Sequence, residues 1–381
     1  MSKTLVKRAY RYRFYPTERQ QLELLRTFGC VRLVYNMALQ ARAEAWDQHR
    51  RRINYHDTSA LLSGWKRTDE LAFLNDVSSV PLQQTLRHLQ TAFTGFWAKR
   101  ARYPRFKSRK RGKASAEYTR SAFRWRDGRL WLAKLDDPLD IHWSRPLPDN
   151  ATPSTVTVSR DAAGRWHVSL RVETSVEHLP PGVDAVGIDA GLTALITLST
   201  GEKIANPRHE RRDRQRLARA QRVLCRKQKG SNNREMARKA VARVHARITD
   251  RRTDFLHKLS TRLVRENQTI VLEDLNVRGM IRNHNLARAI SDAAWSKLRS
   301  MLEYKADWYG RTVIVVDRWF PSSKTCEQCG HRLDDLPLET RAWTCPGCGY
   351  THDRDVNAAR NVLAARRAVA ACGDGVRPIR R

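Results

Sequence analysis

No long hydrophobic run occurs in the 381 residues of this chain; nothing approaches the ~20 apolar positions a membrane-spanning helix needs. The opening Met1-Ser-Lys-Thr-Leu-Val-Lys-Arg8 lacks the apolar core of a secretory signal. Acidic residues are scarce: 39 Asp plus Glu stand against 72 Lys plus Arg, for a formal net charge of +33. That excess argues against an ordinary metabolic enzyme and for a polyanionic partner, because each neutralised phosphate releases counterions. A membrane surface is the other common outlet for basic charge, but no apolar segment accompanies it, and no membrane partner is expected. A disulfide-type cysteine pattern is also lacking. Of seven cysteines, Cys30, Cys225 and Cys372 fit no pattern, which implies a reducing compartment and a cytoplasmic protein. There is no long internal repeat. With 41% apolar residues and eleven Trp the chain is foldable, and its length allows two or three domains.

The other four cysteines form Cys326-Glu-Gln-Cys329 and Cys345-Pro-Gly-Cys348, two pairs separated by fifteen residues. Two thiolate pairs on tight turns close a tetrahedral shell with no open position, so the expected occupant is a structural zinc ion. Gly330 and Gly349, each directly after a pair, supply the backbone freedom of such turns.

Along the chain, Ala9-Tyr-Arg-Tyr-Arg-Phe-Tyr15 alternates, with Tyr10, Tyr12 and Phe14 on one face, and reads as a strand ended by Pro16. Thr17 caps a helix expected to bury Leu22, Leu25, Val31 and Val34. A second helix starts near Ser79, with Leu82, Leu86, Leu89, Phe93 and Phe96 as its core stripe. Lys99 to Lys113 reads as a basic arm. From about residue 121 the pattern turns to β: Asp127-Gly128 centres one hairpin, and residues 155–158 and 166–172 form another. These strands predict a small antiparallel sheet or barrel, joined by the N-terminal strand. After Pro180-Pro181-Gly182 come a strand–turn–strand over 183–200 and a helical stretch broken at Gly230, with Met236, Ala240, Val244 and Ile248 on one stripe. About fifteen of the excess positive charges fall between residues 201 and 265, as expected of a phosphate-tracking helical hairpin. Short buried strands over 269–273 and 311–317 flank a helix over 293–309. A last helix starts at Asp355.

Three carboxylates sit where α/β sheets place functional groups: Asp189 and Glu273 at strand ends and Asp355 at a helix start. Together they could hold two Mg²⁺ ions for phosphodiester hydrolysis. Alone, each could be a solvated surface acid, and Asp355 could be a helix cap. In this order the elements follow an α/β RNase H-like fold.

The motifs Tyr12-Arg-Phe-Tyr-Pro16, Gly187-Ile-Asp-Ala-Gly-Leu192, Leu272-Glu-Asp-Leu-Asn276 and Phe320-Pro-Ser-Ser-Lys-Thr-Cys-Glu-Gln-Cys-Gly330 occur in sequence. Asp353-Arg-Asp-Val-Asn-Ala-Ala-Arg-Asn361 and Ala371-Cys-Gly-Asp-Gly375 follow. In these motifs and their order the chain resembles the TnpB-type (OrfB) family, transposon-encoded RNA-guided DNA nucleases related to type V CRISPR effectors. The resemblance implies a RuvC-type core with Asp189, Glu273 and Asp355 as metal-binding acids. Asp355 is preferred to Asp353 because Asn357 follows it by two residues, as in the family. It also implies a guide RNA derived from the transposon end, and double- and single-stranded target DNA. By this reading residues 1–16 and 113–182 form a wedge-like β domain, 17–112 a helical recognition-like region and 183–320 the first part of the nuclease core. Residues 321–350 form the zinc ribbon that binds target nucleic acid, 351–371 the last core helix and 372–381 a basic tail. The rival readings are a transposase acting on its own ends and a DNA-binding repressor; the retained acids count against the second.

Overall fold

The computed structural model describes residues 3–109, 114–149, 151–337 and 339–371, with side chains at the C-terminal end as far as residue 366. Part of the basic arm, Cys372 and the tail fall outside the described residues. The described chain divides into two compact units, one made of Leu5–Ser175 and the other mainly of the chain from Val176 onward.

The first unit is an antiparallel sheet with helices. Strand β1 (Lys3–Phe14) alternates as expected, burying Tyr10, Tyr12 and Phe14, and stops short of Pro16. Helix α1 (Glu18–His49) begins at a full capping box: the Thr17 hydroxyl accepts from the Gln20 N–H and the Gln20 side chain accepts from the Thr17 N–H. Leu24, Phe28, Val31 and Val34 form its buried face, whereas Leu22 and Leu25, expected in that stripe, are exposed. Helices α2 (Tyr55–Trp65) and α3 (Ser79–Trp97) follow, and α3 buries the predicted stripe up to Phe93 but leaves Phe96 at the surface. Then come β2 (Ala114–Thr119), the hairpin β3 (Phe123–Arg126) and β4 (Arg129–Leu132), β5 (Ile141–His142), β6 (Thr155–Arg160) and β7 (Trp166–Glu177). The hairpin turns through Asp127 and Gly128, both with positive φ, as a two-residue type I′ turn requires. The main sheet has the order β2-β6-β7-β1-β5, so the N-terminal strand does join it.

In the second unit, β8 (Ala185–Ala190), β9 (Ala194–Leu198) and β10 (Lys203–Ala205) form an antiparallel meander. Helices α4 (His209–Cys225) and α5 (Asn232–Glu266) lead to β11 (Thr269–Glu273). Helices α6 (Val277–Met280), α7 (Ala287–Ala293) and α8 (Trp295–Tyr309) lead on to β12 (Thr312–Val316). The sheet order is β10-β9-β8-β11-β12, with β11 parallel to both neighbours. A hairpin of β13 (Ala342–Thr344) and β14 (Thr351–Asp353) precedes α9 (Arg354–Ala371). Of the expected α5 stripe, Val244 and Ile248 are buried and, with Val241, meet Leu217 of α4, whereas Met236 and Ala240 are exposed. No helix among the described residues is long and apolar enough to cross a membrane.

Candidate active site and metal centre

Strand parity decides which way the acids point. Along β8 and β11, Val186, Ile188, Ile270 and Leu272 enter the core shared with α5 and α8, whereas Val271 packs on Val362 of α9. Side chains alternate along a strand, so Asp189 and Glu273 fall on the α9 side of the sheet. Ile188 pairs with Leu272 in parallel register, which makes Asp189 and Glu273 the next neighbours along the ladder. Helix α9 lies directly on β8: a Cβ at Gly187 would stand 2.1 Å from the Ala359 carbonyl oxygen and 2.7 Å from the Leu363 nitrogen. Only glycine permits that approach. Asp355 precedes Ala359 by one turn and Asp189 follows Gly187 by two residues, so helix start and strand end bring the third acid to the first two.

The charges interact. Burial, and then the Glu273 and Asp355 carboxylates, push the Asp189 carboxyl up to about 7, against the opposing pull of Arg354 and Arg341. Burial also raises Glu273, countered by the Ser322 hydroxyl, which donates to its Oε1 at 2.5 Å. Asp355 has Arg341 Nη1 at 3.5 Å and Lys203 Nζ at 3.9 Å. The helix cap is Asp353, whose Oδ1 accepts from the Asp355 and Val356 N–H groups, both at 3.1 Å. Burial raises Asp353, but Lys203, 2.6 Å away, and those N–H groups hold its carboxyl below the usual range. Asp355 is thus relieved of capping and faces the other acids.

Sequence reasoning missed the groups that brace this arrangement. Asn357 and Asn361, one turn apart on α9, donate to the Thr325 carbonyl at 2.8 and 2.6 Å, and Asn361 also donates to Ser322 O at 2.8 Å. They fasten the loop carrying Ser322, and so Glu273, to the helix carrying Asp355. Two buried Asn at i, i+4 on an otherwise apolar face were the available signal.

The four cysteines do form one cluster. Their sulfurs lie within 4.8 Å of one another, with Cys326–Cys348 at 3.7 Å and Cys329–Cys345 at 3.6 Å. Metal–sulfur bonds of about 2.3 Å give a tetrahedron with edges of about 3.8 Å, so the spacing suits zinc. Each pair sits on the same turn: Gly330 N–H donates to Cys326 O and Gly349 N–H to Cys345 O, both at 2.9 Å, with Gly330 and Gly349 at φ +77° and +75°. His352 adds a nitrogen 3.0 Å from the Cys326 sulfur, its ring against Trp343 and Tyr350. Among the described residues this is the one compact set of metal-ligating side chains; the three acids are gathered more loosely.

The fold and these two clusters define a class, and comparison with known proteins gives the family. A model of the IS605 OrfB family, described as "Probable transposase", matches residues 167–284, and a Cas12f1-like TNB domain model matches 295–362. A helix-turn-helix model matches 1–51, where the structure has β1 and the single helix α1. A Streptomyces pristinaespiralis protein named "Putative RNA-guided DNA endonuclease" is 68% identical over 98% of this chain and 93% of its own length. InsQ of Escherichia coli K12, named in the same terms, is 34% identical over 97% and 94%. The Cas12f1 chain of a complex with sgRNA and target DNA superposes with a TM-score of 0.58 at 12% identity, covering 94% of this chain and 99% of that one. The protein belongs to the TnpB (OrfB) family of transposon-associated nucleases.

Proposed function

We propose that the protein is an Mg²⁺-dependent, RNA-guided DNA endonuclease with an RNase H-like (RuvC-type) core in which Asp189, Glu273 and Asp355 hold the catalytic metal. The observation that carries the reading is the crowding of three carboxylates where β8, β11 and α9 converge, with Asp189 pushed up to about 7 by burial and its acidic neighbours. An all-oxygen donor set that is electrostatically frustrated when empty of cations suits a hard divalent ion. Two bound Mg²⁺ would stabilise the attacking and leaving oxygens of the scissile phosphate and supply an ionised water. This chain's residues do the rest. Ser322 fixes the rotamer of Glu273, Asp353 caps α9 so that Asp355 faces inward, and Lys203 and Arg341 offer positive charge to a phosphate entering beside Asp355. Zinc in the cysteine cluster would be structural, fixing the ribbon as a target-binding element beside α9. The guide RNA, derived from the transposon end, would carry sequence specificity, while exposed arginines such as Arg219, Arg222, Arg243 and Arg247 on α4 and α5 grip phosphates.

The test is the purified protein with the RNA that copurifies with it. Asp189→Asn should abolish cleavage of a guide-matched target, keep the RNA, and lack the Mn²⁺ binding that electron paramagnetic resonance should detect in the parent. Divalent-dependent cutting by the variant, or RNA-independent joining of transposon ends by the parent, would overturn the reading.

A further inference from the structure

Trp319 is 83% exposed, more than any other aromatic side chain among the described residues; Phe106 follows at 61%. Scattered surface apolar groups need no explanation. This one is different because everything around it is tied down. Its own N–H donates to Asp317 Oδ1 at 2.8 Å, and the Phe320 N–H donates to Asp317 O at 3.1 Å, closing a tight turn after β12. On one side the Arg318 guanidinium binds the Asp274 carboxylate, which Arg299 also holds at 2.7 Å. On the other side Phe320 packs against Val271, Val316 and Val362, and Ser322 binds Glu273. The residues flanking Trp319 are therefore fastened to Glu273 and to its neighbour Asp274. A hydrogen-bonded turn presents a bare indole to solvent, on the stretch of chain between Arg318, held to Asp274, and Ser322, held to Glu273.

We infer that Trp319 is a stacking platform for an unpaired base of the DNA strand presented to the acids, positioning the scissile phosphate. The inference rests on the nuclease reading above. An indole accepts any base, since every base has a π face, and a platform fixed before binding loses little entropy on engagement. Arg341, Arg354 and Lys203, all near the acids, give the surroundings the sign a phosphate backbone needs. A preformed stack beside the site would hold the strand melted and in register without reading its sequence. Trp319 is thus a positioning residue.

The experiment uses the RNA-loaded protein in the Asp189→Asn background and a premelted, guide-matched target with 2-aminopurine at successive positions of the cut strand. One position near the cut should be quenched on binding. Trp319→Ala should abolish that quenching, and Trp319→Phe should keep most of it. With Asp189 intact, Trp319→Ala should raise KM for the premelted target roughly 5- to 100-fold, with a smaller effect on kcat. Unchanged zinc content and melting temperature exclude misfolding, as expected for so exposed a side chain. Equal quenching in parent and Trp319→Ala would overturn the inference even if Asp189→Asn is inactive, and so would a Trp319-dependent signal confined to 2-aminopurine in the RNA. Cleavage surviving in Asp189→Asn while the Trp319-dependent signal persists would instead overturn the assignment of the catalytic acids and leave the stack standing.

Discussion

The second unit holds two clusters of ligating side chains, and they differ in nearly every physical respect. The four cysteines come from 23 consecutive residues, Cys326 to Cys348, and their sulfurs are already within 4.8 Å of one another. The three acids come from β8, β11 and α9, remote in sequence, and they meet only because a parallel register and a glycine contact bring them together. The thiols have a small local core of Leu333, Leu336 and Trp343. The acids have cations at their edge and a serine on one of them. A closed sulfur shell leaves no room for substrate, whereas loosely gathered carboxylates do. The comparison separates a site suited to holding the fold from one suited to meeting a ligand.

The largest effect should come from breaking the closed cluster. So small a core cannot hold β13 and β14 by itself, and zinc binding in such domains contributes on the order of 10 kcal/mol to folding. Cys326→Ser should release the metal and unfold the hairpin, seen as loss of about one zinc per chain by mass spectrometry and as new protease sensitivity between residues 326 and 352. Asp189→Asn should keep its zinc. A Cys326→Ser protein that remains zinc-free, protease-resistant and active would erase the distinction.

Next in size is a contrast inside the acid cluster. Asp355→Ala should lower guided cleavage by about 10⁴-fold with little change in stability. Asp353→Ala removes the cap of α9, costs about 1 kcal/mol, and should leave cleavage measurable. Reversed outcomes would make Asp353 the ligand and Asp355 the dispensable residue. Cleavage rates and urea midpoints on the same preparations decide it.

The two clusters also differ in how far they could be read from sequence. Cysteine spacing and the positive-φ glycines after each pair are local, and so are the Thr17 capping box and the Asp127-Gly128 turn; all appear as the sequence implies. The acids were nameable by their place at element ends, but their approach was not. It depends on Ile188 lying beside Leu272 and on α9 touching Gly187, relations between elements that no spacing encodes. Helix faces were legible only in part, for a related reason. On α1 the buried set is Leu24, Phe28, Val31 and Val34, and Leu22 and Leu25 are surplus apolar residues outside it. On α5 the outer half packs Val241, Val244 and Ile248 against Leu217 of α4, and Met236, 59% exposed, lies outside that contact. A period gives a helix its stripe, but the partner selects the phase.

The smallest effect is the most discriminating, because the two clusters should respond to pH with opposite sign. Zinc binding displaces thiol protons, so the stability it gives grows as pH rises. For Asp189 the folded value of about 7 lies above the ordinary carboxyl value of about 3.9. The folded form therefore holds a proton that the unfolded chain has already released across that window. Stability from this group is fully present below about pH 4 and is lost as pH rises through 7. In Mg²⁺-free buffer without chelator, with zinc retained, the melting temperature of Asp189→Asn should exceed that of the parent by more at pH 8 than at pH 5. Millimolar Mg²⁺ should shrink that gap by stabilising the parent alone, since only the parent keeps the full acid set. A gap independent of pH, or untouched by Mg²⁺, would show that Asp189 is not the frustrated member of a cation site.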